Sequence, residues 1–545
     1  MPSQHLTSEY EPVTPLRSAT PSAAGVWDDA QAETDWRGGE GGGSDFSGGS
    51  LPPADRPAEA PARRAETARE KKPWLERWGT RPGHLAGFAG LFLFTVILYF
   101  RPYEQISFLS SFTSMAFFTA LATLAVYFPA QLSLEGNLTA RPREVNLLLL
   151  FSLTALLSIP LALNRGEAWD TFVEPFSKAA LMFLVIVNTV RTLRRLRWML
   201  MLGVVVGCYL SLSALRDYRG GITTVEGYRV AGSIGNLFAN PNDMAIHLIT
   251  VIPVAVAFMF GARGLKKALY AACLFLLVGG LMVTFSRGGT LGFGGAAFVL
   301  AWKLGRRNRF AVMALFVVGA VLMIALAPGG FGLRMLSIFD SSLDPVGSSS
   351  ARRELLILSI ITALKHPLFG VGMNNFHIVS IHEAVTHNSY TQVASELGMA
   401  ALAIYTMFIV TPLRRLARIE RATLSARRAS SFYYLSVGLQ ASLVAYMISS
   451  FFGAIAYHWY VYYLVGYAVA LRRIYATTGE AEVEAPKLNA EAAGVDDTPS
   501  GAETSGPPSG EVAATEPEVK DAGEARDARA GSVLYDARSA RVVNA

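Results

Sequence analysis

The chain has 545 residues, 52% of them hydrophobic and only 17% charged, with a mean hydropathy of +0.34, a balance too apolar for a soluble globular protein of this size. The net charge of +6 does not mark a nucleic-acid partner, because Lys and Arg fall in short clusters between apolar runs rather than along one amphipathic face. The two cysteines, Cys208 and Cys273, lie in apolar segments, so neither a disulfide framework nor a cysteine-based metal site is supported.

Residues 1 to about 78 are rich in Gly, Pro, Ser, Ala and acids, as in GGEGGGSDFSGGSLPPADRPAEAPA, and carry no apolar period that can bury a core. They read as a disordered cytoplasmic tail, and residues 478 to 545 read the same way. No apolar run begins before about His84, so the sequence does not open on a cleavable signal peptide, and the first span is expected to be the anchor.

Between the tails, over 79 to 477, apolar stretches of spanning length recur. They lie near 84–101, 107–129, 145–163, 175–190, 197–215, 240–260, 267–285, 288–304, 310–328, 388–410, 432–453 and 457–471. The fold class is therefore all-α: a polytopic membrane bundle of about twelve transmembrane helices. Basic clusters set the orientation, because Lys and Arg collect on the cytoplasmic side of short loops. Lys71, Lys72 and Arg77; Arg141 and Arg143; Arg191, Arg194, Arg195 and Arg197; and Arg263, Lys266 and Lys267 fall on one side. Lys303, Arg306, Arg307 and Arg309, the run Arg414 to Arg428, and Arg472 and Arg473 join them. An even helix count with both termini cytoplasmic satisfies every cluster. One large periplasmic loop, 329–387, then remains outside. Within it ARRELLILSIITALKH places Leu355, Leu356, Ser359, Ile360 and Ala363 at helical spacing, with Pro367 just beyond, which predicts a helix lying against the outer membrane surface.

Arg287, in VTFSRGGTLGF, stands between two apolar spans on the side where basic residues are scarce. A guanidinium pairs bidentately with phosphate oxygens, and Gly288 and Gly289 would let a bulky anion approach the backbone. The plain alternative is an interfacial arginine that snorkels. Arg352 begins the loop helix, where a solvated surface charge is the competing reading, and Arg229, in YRVAGSIGNLFANPND, is a third outward arginine. Four histidines, His366, His377, His382 and His387, fall in the outer loop. None is paired at the His-x-x-x-His spacing of a zinc helix, so no metal is implied. His387 directly precedes a span, where a general base meets both lipid and water, although Asn388 and Ser389 also make a competent helix start. Glu396 is expected about two turns inside that span, as a functional carboxylate or the partner of an arginine. HPLFGVGMNNF, with Gly370 and Gly372, reads as a tight turn.

Taken together, VTFSRGGTLGF, the ARRELLILSIITALKHPLFGVGMNNF run and HNSYTQVASELG resemble the O-antigen ligase and polysaccharide polymerase family of bacterial inner membranes, in order and in spacing. By motif the resemblance covers roughly 225 to 410. His387 and Asn388, followed after nine residues by Gly398, look like the family's histidine motif; Arg352 with Leu356 matches its Arg-x-x-x-Leu element, and Arg287 its Ser-Arg element. Ala401 departs from the motif, which there usually carries Gly, Thr or Tyr. The resemblance implies an undecaprenyl-pyrophosphate-linked glycan donor, a glycan or lipid A core acceptor, a periplasmic site and no cofactor or metal. It also implies a flippase and a chain-length regulator of the same pathway as possible partners. On this reading His387 is the base and Arg287 and Arg352 bind the pyrophosphate, and by resemblance the reaction inverts the anomeric centre; Arg229, as a further outward arginine, is added to the pyrophosphate set, and Asn388 and Glu396 are read as supporting residues.

The loop pattern and Ala401 lean towards a polymerase of exopolysaccharide or O-antigen repeat units, with a ligase to the lipid A core as the alternative and protein glycosylation as a third branch. A transporter or flippase is a different class, suggested by Asp243 and His247 one helical turn apart near a span. Against it, the other ionisable residues concentrate at one membrane face. A sensor or scaffold acting through its tails is a further reading.

Overall fold

The computed structural model describes residues 84–479 except 224–226, 235–236, 307, 326, 339–347, 381–382 and 428–429. The two predicted tails, apart from 478 and 479, lie outside the described residues, as do His382, Arg307 and Arg428. The described chain is all helix and connection, with no strand. In chain order it forms α1 (Leu85–Phe100), α2 (Met115–Glu135), α3 (Arg143–Ser158), α4 (Arg165–Thr171), α5 (Ser177–Thr189), α6 (Leu193–Arg219), α7 (Pro241–Gly261) and α8 (Leu265–Val283). There follow α9 (Arg287–Leu304), α10 (Arg309–Ala325), α11 (Phe331–Leu336), α12 (Ser348–Lys365), α13 (Ser389–Leu397), α14 (Met399–Ala422), α15 (Ser431–Ser449) and α16 (Trp459–Ile474).

The protein is a multi-pass membrane protein. Each predicted stretch contains a helix, yet only eight of the helices among the described residues are long and apolar enough to cross a bilayer: α1, α2, α3, α6, α7, α8, α14 and α15. The others fall short for identifiable reasons. A π turn, Phe172–Phe176, carrying Pro175 separates α5 from α4 and leaves it 13 residues; α16 has 16. In α9, five glycines within RGGTLGFGG dilute the hydropathy. The stretch predicted at 388–410 is two helices, because Gly398, at φ 90°, ends α13 and begins α14.

Positively charged helix ends gather on buried carboxylates. Glu144, fully buried at the start of α3, takes Arg472 at 2.7 Å and Arg415 at 3.8 Å. Glu420, near the end of α14, takes Lys303 at 2.5 Å and Arg306, and accepts from Gln440 Nε2 at 3.1 Å. Arg191 pairs with Glu135. The ends of α9, α14 and α16, the start of α3 and the end of α2 therefore share one side of the bundle.

At the opposite side the loop predicted to hold a helix does so, as α12, with Leu355, Ser359 and Ala363 of the expected face buried and Ile360 turned outward. Leu355, Ser359, Thr362 and Ala363 are buried, α13 being its main packing partner, whereas Ile357, Ile360, Ile361 and Leu364 stand outward. The turn after α12 is knitted into its neighbours. Val371 N donates to Ser395 O at 2.9 Å, Gly372 N to Glu396 O at 2.9 Å, and Leu163 N to Val371 O at 3.0 Å. Gly370 (φ 64°) cannot be replaced there, since a Cβ would lie 2.2 Å from the carbonyl carbon of Glu396.

Removing one partner from a buried ion cluster leaves the others desolvated and unpaired. Glu420→Ala is therefore expected to lower stability by about 3–5 kcal/mol, read as a fall in the melting temperature of the detergent-solubilised protein. Glu420→Gln, which keeps an acceptor for Gln440, should lose less.

Candidate functional site

The turn between α8 and α9 carries Arg287, and its conformation follows from its sequence. Phe285 takes a left-handed backbone (φ 49°) and its buried ring packs against Tyr218, Tyr228 and Phe331. Ser286 caps α9, its hydroxyl accepting from Gly289 N at 3.2 Å and donating to Asn242 Oδ1 at 2.8 Å. Arg287 then begins the helix, buried, with Nη1 donating to Ser337 Oγ at 3.0 Å. Arg229 braces the same turn, Nε donating to Thr284 O at 3.0 Å and Nη2 to Asn242 Oδ1 at 2.8 Å.

A third guanidinium joins these two. Arg334, in the last turn of α11, lies 5.5 Å from the centre of the Tyr228 ring, and its carbonyl accepts from Ser337 Oγ at 2.7 Å. Arg229, Arg287 and Arg334 are all buried, at 5%, 8% and 7% exposure, so three cations share one poorly hydrated corner. Sequence reasoning missed Arg334, because it lies in a weakly patterned stretch of the outer loop, and it missed Asn242, Ser337 and Tyr228, which hold the corner together. The expectation for Gly288 and Gly289 is corrected. The space a Cβ would take lies 2.8 Å from Phe452 Cβ at Gly288 and 2.7 Å from Ala245 Cβ at Gly289, so the glycines let α9 pack closely and leave no berth for an anion at their backbone.

His387 lies at the start of α13. Its backbone is left-handed (φ 51°), a conformation that costs energy for any residue but glycine. The next residue explains why it holds: Asn388 caps α13, its Oδ1 accepting from Tyr390 N at 2.9 Å and Thr391 N at 3.1 Å. Thus Asn388 is the helix-start residue its type predicted, and more, since its buried Nδ2 donates to nothing among the described residues. Burial first, and then the positive charge of Arg352, hold the imidazole of His387 below its ordinary pKa. Arg352, on the helix that packs against α13, thus acts electrostatically on His387.

The two groups meet at one turn. Ser389 Oγ donates to Gly453 O at 2.7 Å and accepts from Ile455 N at 3.0 Å, while Phe452 in the same turn packs on Gly288. Arg287 and His387 thus stand at the same end of the bundle, opposite Glu144 and Glu420. Such an arrangement can hold a polyanion on guanidinium groups beside an uncharged imidazole able to accept a proton.

Glu396 does not lie inside a span. It is buried in α13, and its partner is a turn rather than an arginine: Asn374 N donates to its Oε2 at 3.0 Å. Burial pushes its carboxyl up to about 7, partly offset by hydrogen bonds from Tyr457, Asn374, Phe376 and Gln392. Asn374 in turn donates to Glu167 Oε1 at 2.9 Å, and His377 approaches Glu167 at 3.5 Å. Asp243 and His247, the pair that suggested a transporter, are not joined by a hydrogen bond among the described residues. His247 Nε2 meets Gly203 O at 3.2 Å and its ring is packed by Tyr99 and Phe238. Among the described residues no group of three His, Cys, Asp or Glu stands close enough to hold a metal. For Glu396, the isosteric Glu396→Gln is expected to retain folding because an amide oxygen still accepts from Asn374. Glu396→Ala, which strands a buried N–H, should cut the yield of folded protein in size-exclusion chromatography.

No curated protein matches the chain. Residues 272–406 match the family described as O-Antigen ligase, a stretch that contains Arg287, Arg334, Arg352, His387, Asn388 and Glu396 and leaves Arg229 outside. Residues 272–406 are thus a domain of the O-antigen ligase/polymerase family, carried within an all-α membrane protein.

Proposed function

We propose that the protein transfers a glycan from an undecaprenyl-pyrophosphate carrier to an acceptor hydroxyl at the periplasmic face of the bacterial inner membrane, both termini being cytoplasmic. The domain that does this spans 79–477, with 329–387 as its outer loop. One observation carries the reading: Arg229, Arg287 and Arg334 around the Ser286 turn, and Arg352 beside His387, converge at one end of the bundle. The other end is where Arg and Lys clusters meet the partly buried Glu135 and the buried Glu144 and Glu420, as positive-inside topology requires.

In the proposed reaction the acceptor oxygen attacks the anomeric carbon while the bond from that carbon to the pyrophosphate oxygen breaks. The imidazole of His387 takes the hydroxyl proton, and the pyrophosphate leaves with the bonding electron pair. Its added negative charge is met by Arg287 and Arg352, which gain more from the leaving group than from the bound donor. One base and one displacement invert the anomeric centre. Asn388 Nδ2, unsatisfied among the described residues, is a donor for the acceptor or the departing oxygen. The matched family description supports ligation to a lipid A core over the polymerisation that Ala401 favours, and we take ligation as the reaction. A deletion strain is then expected to accumulate long lipid-linked chains with bare lipid A core. Single lipid-linked repeats would instead establish a polymerase.

His387→Ala should fold normally and lose transfer by at least about two orders of magnitude, the scale of general-base removal; retained activity removes His387 from the chemistry. Because the base acts uncharged and its pKa is depressed, the rate should fall only as pH drops below histidine's ordinary midpoint. Arg352→Gln removes part of that depression, so its acid limb should move to higher pH, whereas a limb that stays put would separate Arg352 from His387. Arg287→Lys should be impaired as well, since an ammonium cannot reproduce the bidentate fork, and a wild-type rate there would count against pyrophosphate clamping. EDTA should leave the rate unchanged.

A further inference from the structure

The side of the bundle where α14 and α16 end carries more positive charge than its carboxylates take up. Glu144 meets Arg472 at 2.7 Å and Arg415 at 3.8 Å, and Arg143 and Arg418 add their charge at the same place, both acting on Arg415. Four guanidinium groups thus share one acid, whose Oε2 accepts from nothing among the described residues. On α14 the surplus continues outward. Arg414, Arg418 and Arg421 stand at i, i+4 and i+7, one stripe of the helix, and all three are exposed with no side-chain partner among the described residues.

The chain supplies the opposite charge beside this stripe. Helix α16 ends at Ile474, two residues after Arg472, and a π turn takes the described chain to Gly479. From Glu480 to Glu524 the sequence then holds twelve Asp and Glu against two Lys and no Arg. A segment of net charge −10 therefore begins eight residues after Arg472. At about 3.3–3.6 Å per residue, its first ten residues reach far enough to run from the Glu144 cluster along the last turns of α14. The spacings agree as well. Arg414 to Arg418 advances about 6 Å along the helix axis, and Glu480, Glu482 and Glu484, at every second position, would advance about 6.8 Å per step on one side of an extended segment.

We propose that residues 480–524 dock as an acidic strap on the guanidinium face formed by Arg143, Arg414, Arg415, Arg418 and Arg421. Anionic lipid headgroups are the competing occupant. A headgroup brings its charge singly, whereas the tethered segment brings many carboxylates at the high effective concentration of an intramolecular contact. The contact involves neither Arg287 nor His387, so it stands whether or not glycan transfer does.

The full-length protein in phosphatidylcholine nanodiscs, with photoreactive p-benzoylphenylalanine in place of Val483, tests the docking. Irradiation is expected to link this position to 141–144 and 414–427 of the same chain. Raising the ionic strength from about 0.01 to about 1 M, which shortens the Debye length from about 30 to about 3 Å, should remove most of the links. The combined changes Arg414→Glu, Arg418→Glu and Arg421→Glu should lower the yield about tenfold, the change that 1.4 kcal/mol produces. Adding Glu480→Lys, Glu482→Lys and Glu484→Lys to that variant should restore it. Because the altered helix end can fail to fold, the three lysine changes alone, which replace no described residue, should lower the yield in the otherwise native chain. Links that survive both sets of reversals would overturn the proposal. So would links to the basic residues of 63–77, links spread evenly over 194–197, 263–267 and 414–427, or links between chains when isotopically distinct copies are mixed. Replacing phosphatidylcholine by phosphatidylglycerol separates the two occupants: an unchanged yield supports the acidic segment, and loss of the links gives the face to lipid headgroups and overturns it.

Discussion

Charge in a thin apolar slab has few places to go, and that constraint orders this protein. An ionised side chain away from water must be paired, or must sit where a helix ends. At one side of the bundle the solution is pairing: Glu144 with Arg415 and Arg472, Glu420 with Lys303 and Arg306, Glu135 with Arg191. Each carboxylate joins helices that are distant in sequence, so the basic clusters that set topology also fasten the bundle. At the other side Arg229, Arg287 and Arg334 are brought together around a single turn, with contacts that include the Thr284 carbonyl, Asn242 Oδ1, the Ser337 hydroxyl and the ring of Tyr228.

Much of this was legible in the chain because it follows from composition and local rules. The apolar stretches marked the helices, and Arg287, Arg352 and His387 were conspicuous as polar residues between them. Asn388 declared itself as a cap through its place before Ser389. What could not be read was anything that depends on which helices become neighbours. Gly288 and Gly289 looked like room for a ligand, yet Phe452 and Ala245 occupy that room. Glu396 looked like a partner for an arginine and instead receives Asn374 N. Arg334 carried no local signal at all.

Breaks within the apolar runs were illegible for a related reason. A hydropathy window sees length and apolarity, but not that Gly398 with φ 90° divides one run into α13 and α14, or that the turn at Pro175 shortens α5. The break at Gly398 has a consequence for function. It frees α13 from the direction of a spanning helix, so that α13 can pack on α12, hold the 371–376 turn through Ser395 and Glu396, and still anchor on Gly453. A continuous helix from 388 to 410 could not make these contacts at once.

The left-handed backbone of His387 belongs to the same design. A residue with a Cβ holds φ 51° at a cost, and here the Asn388 cap and the Ser389 anchor fix the chain on its C-terminal side. The backbone that carries the imidazole is thereby held by its neighbours, and burial, with the charge of Arg352, favours the uncharged form. The chain is placed there by the packing of a nine-residue helix start against the 452–455 turn. That turn also touches Gly288, next to Arg287, so a shift of α13 would move the imidazole and disturb the guanidinium corner together.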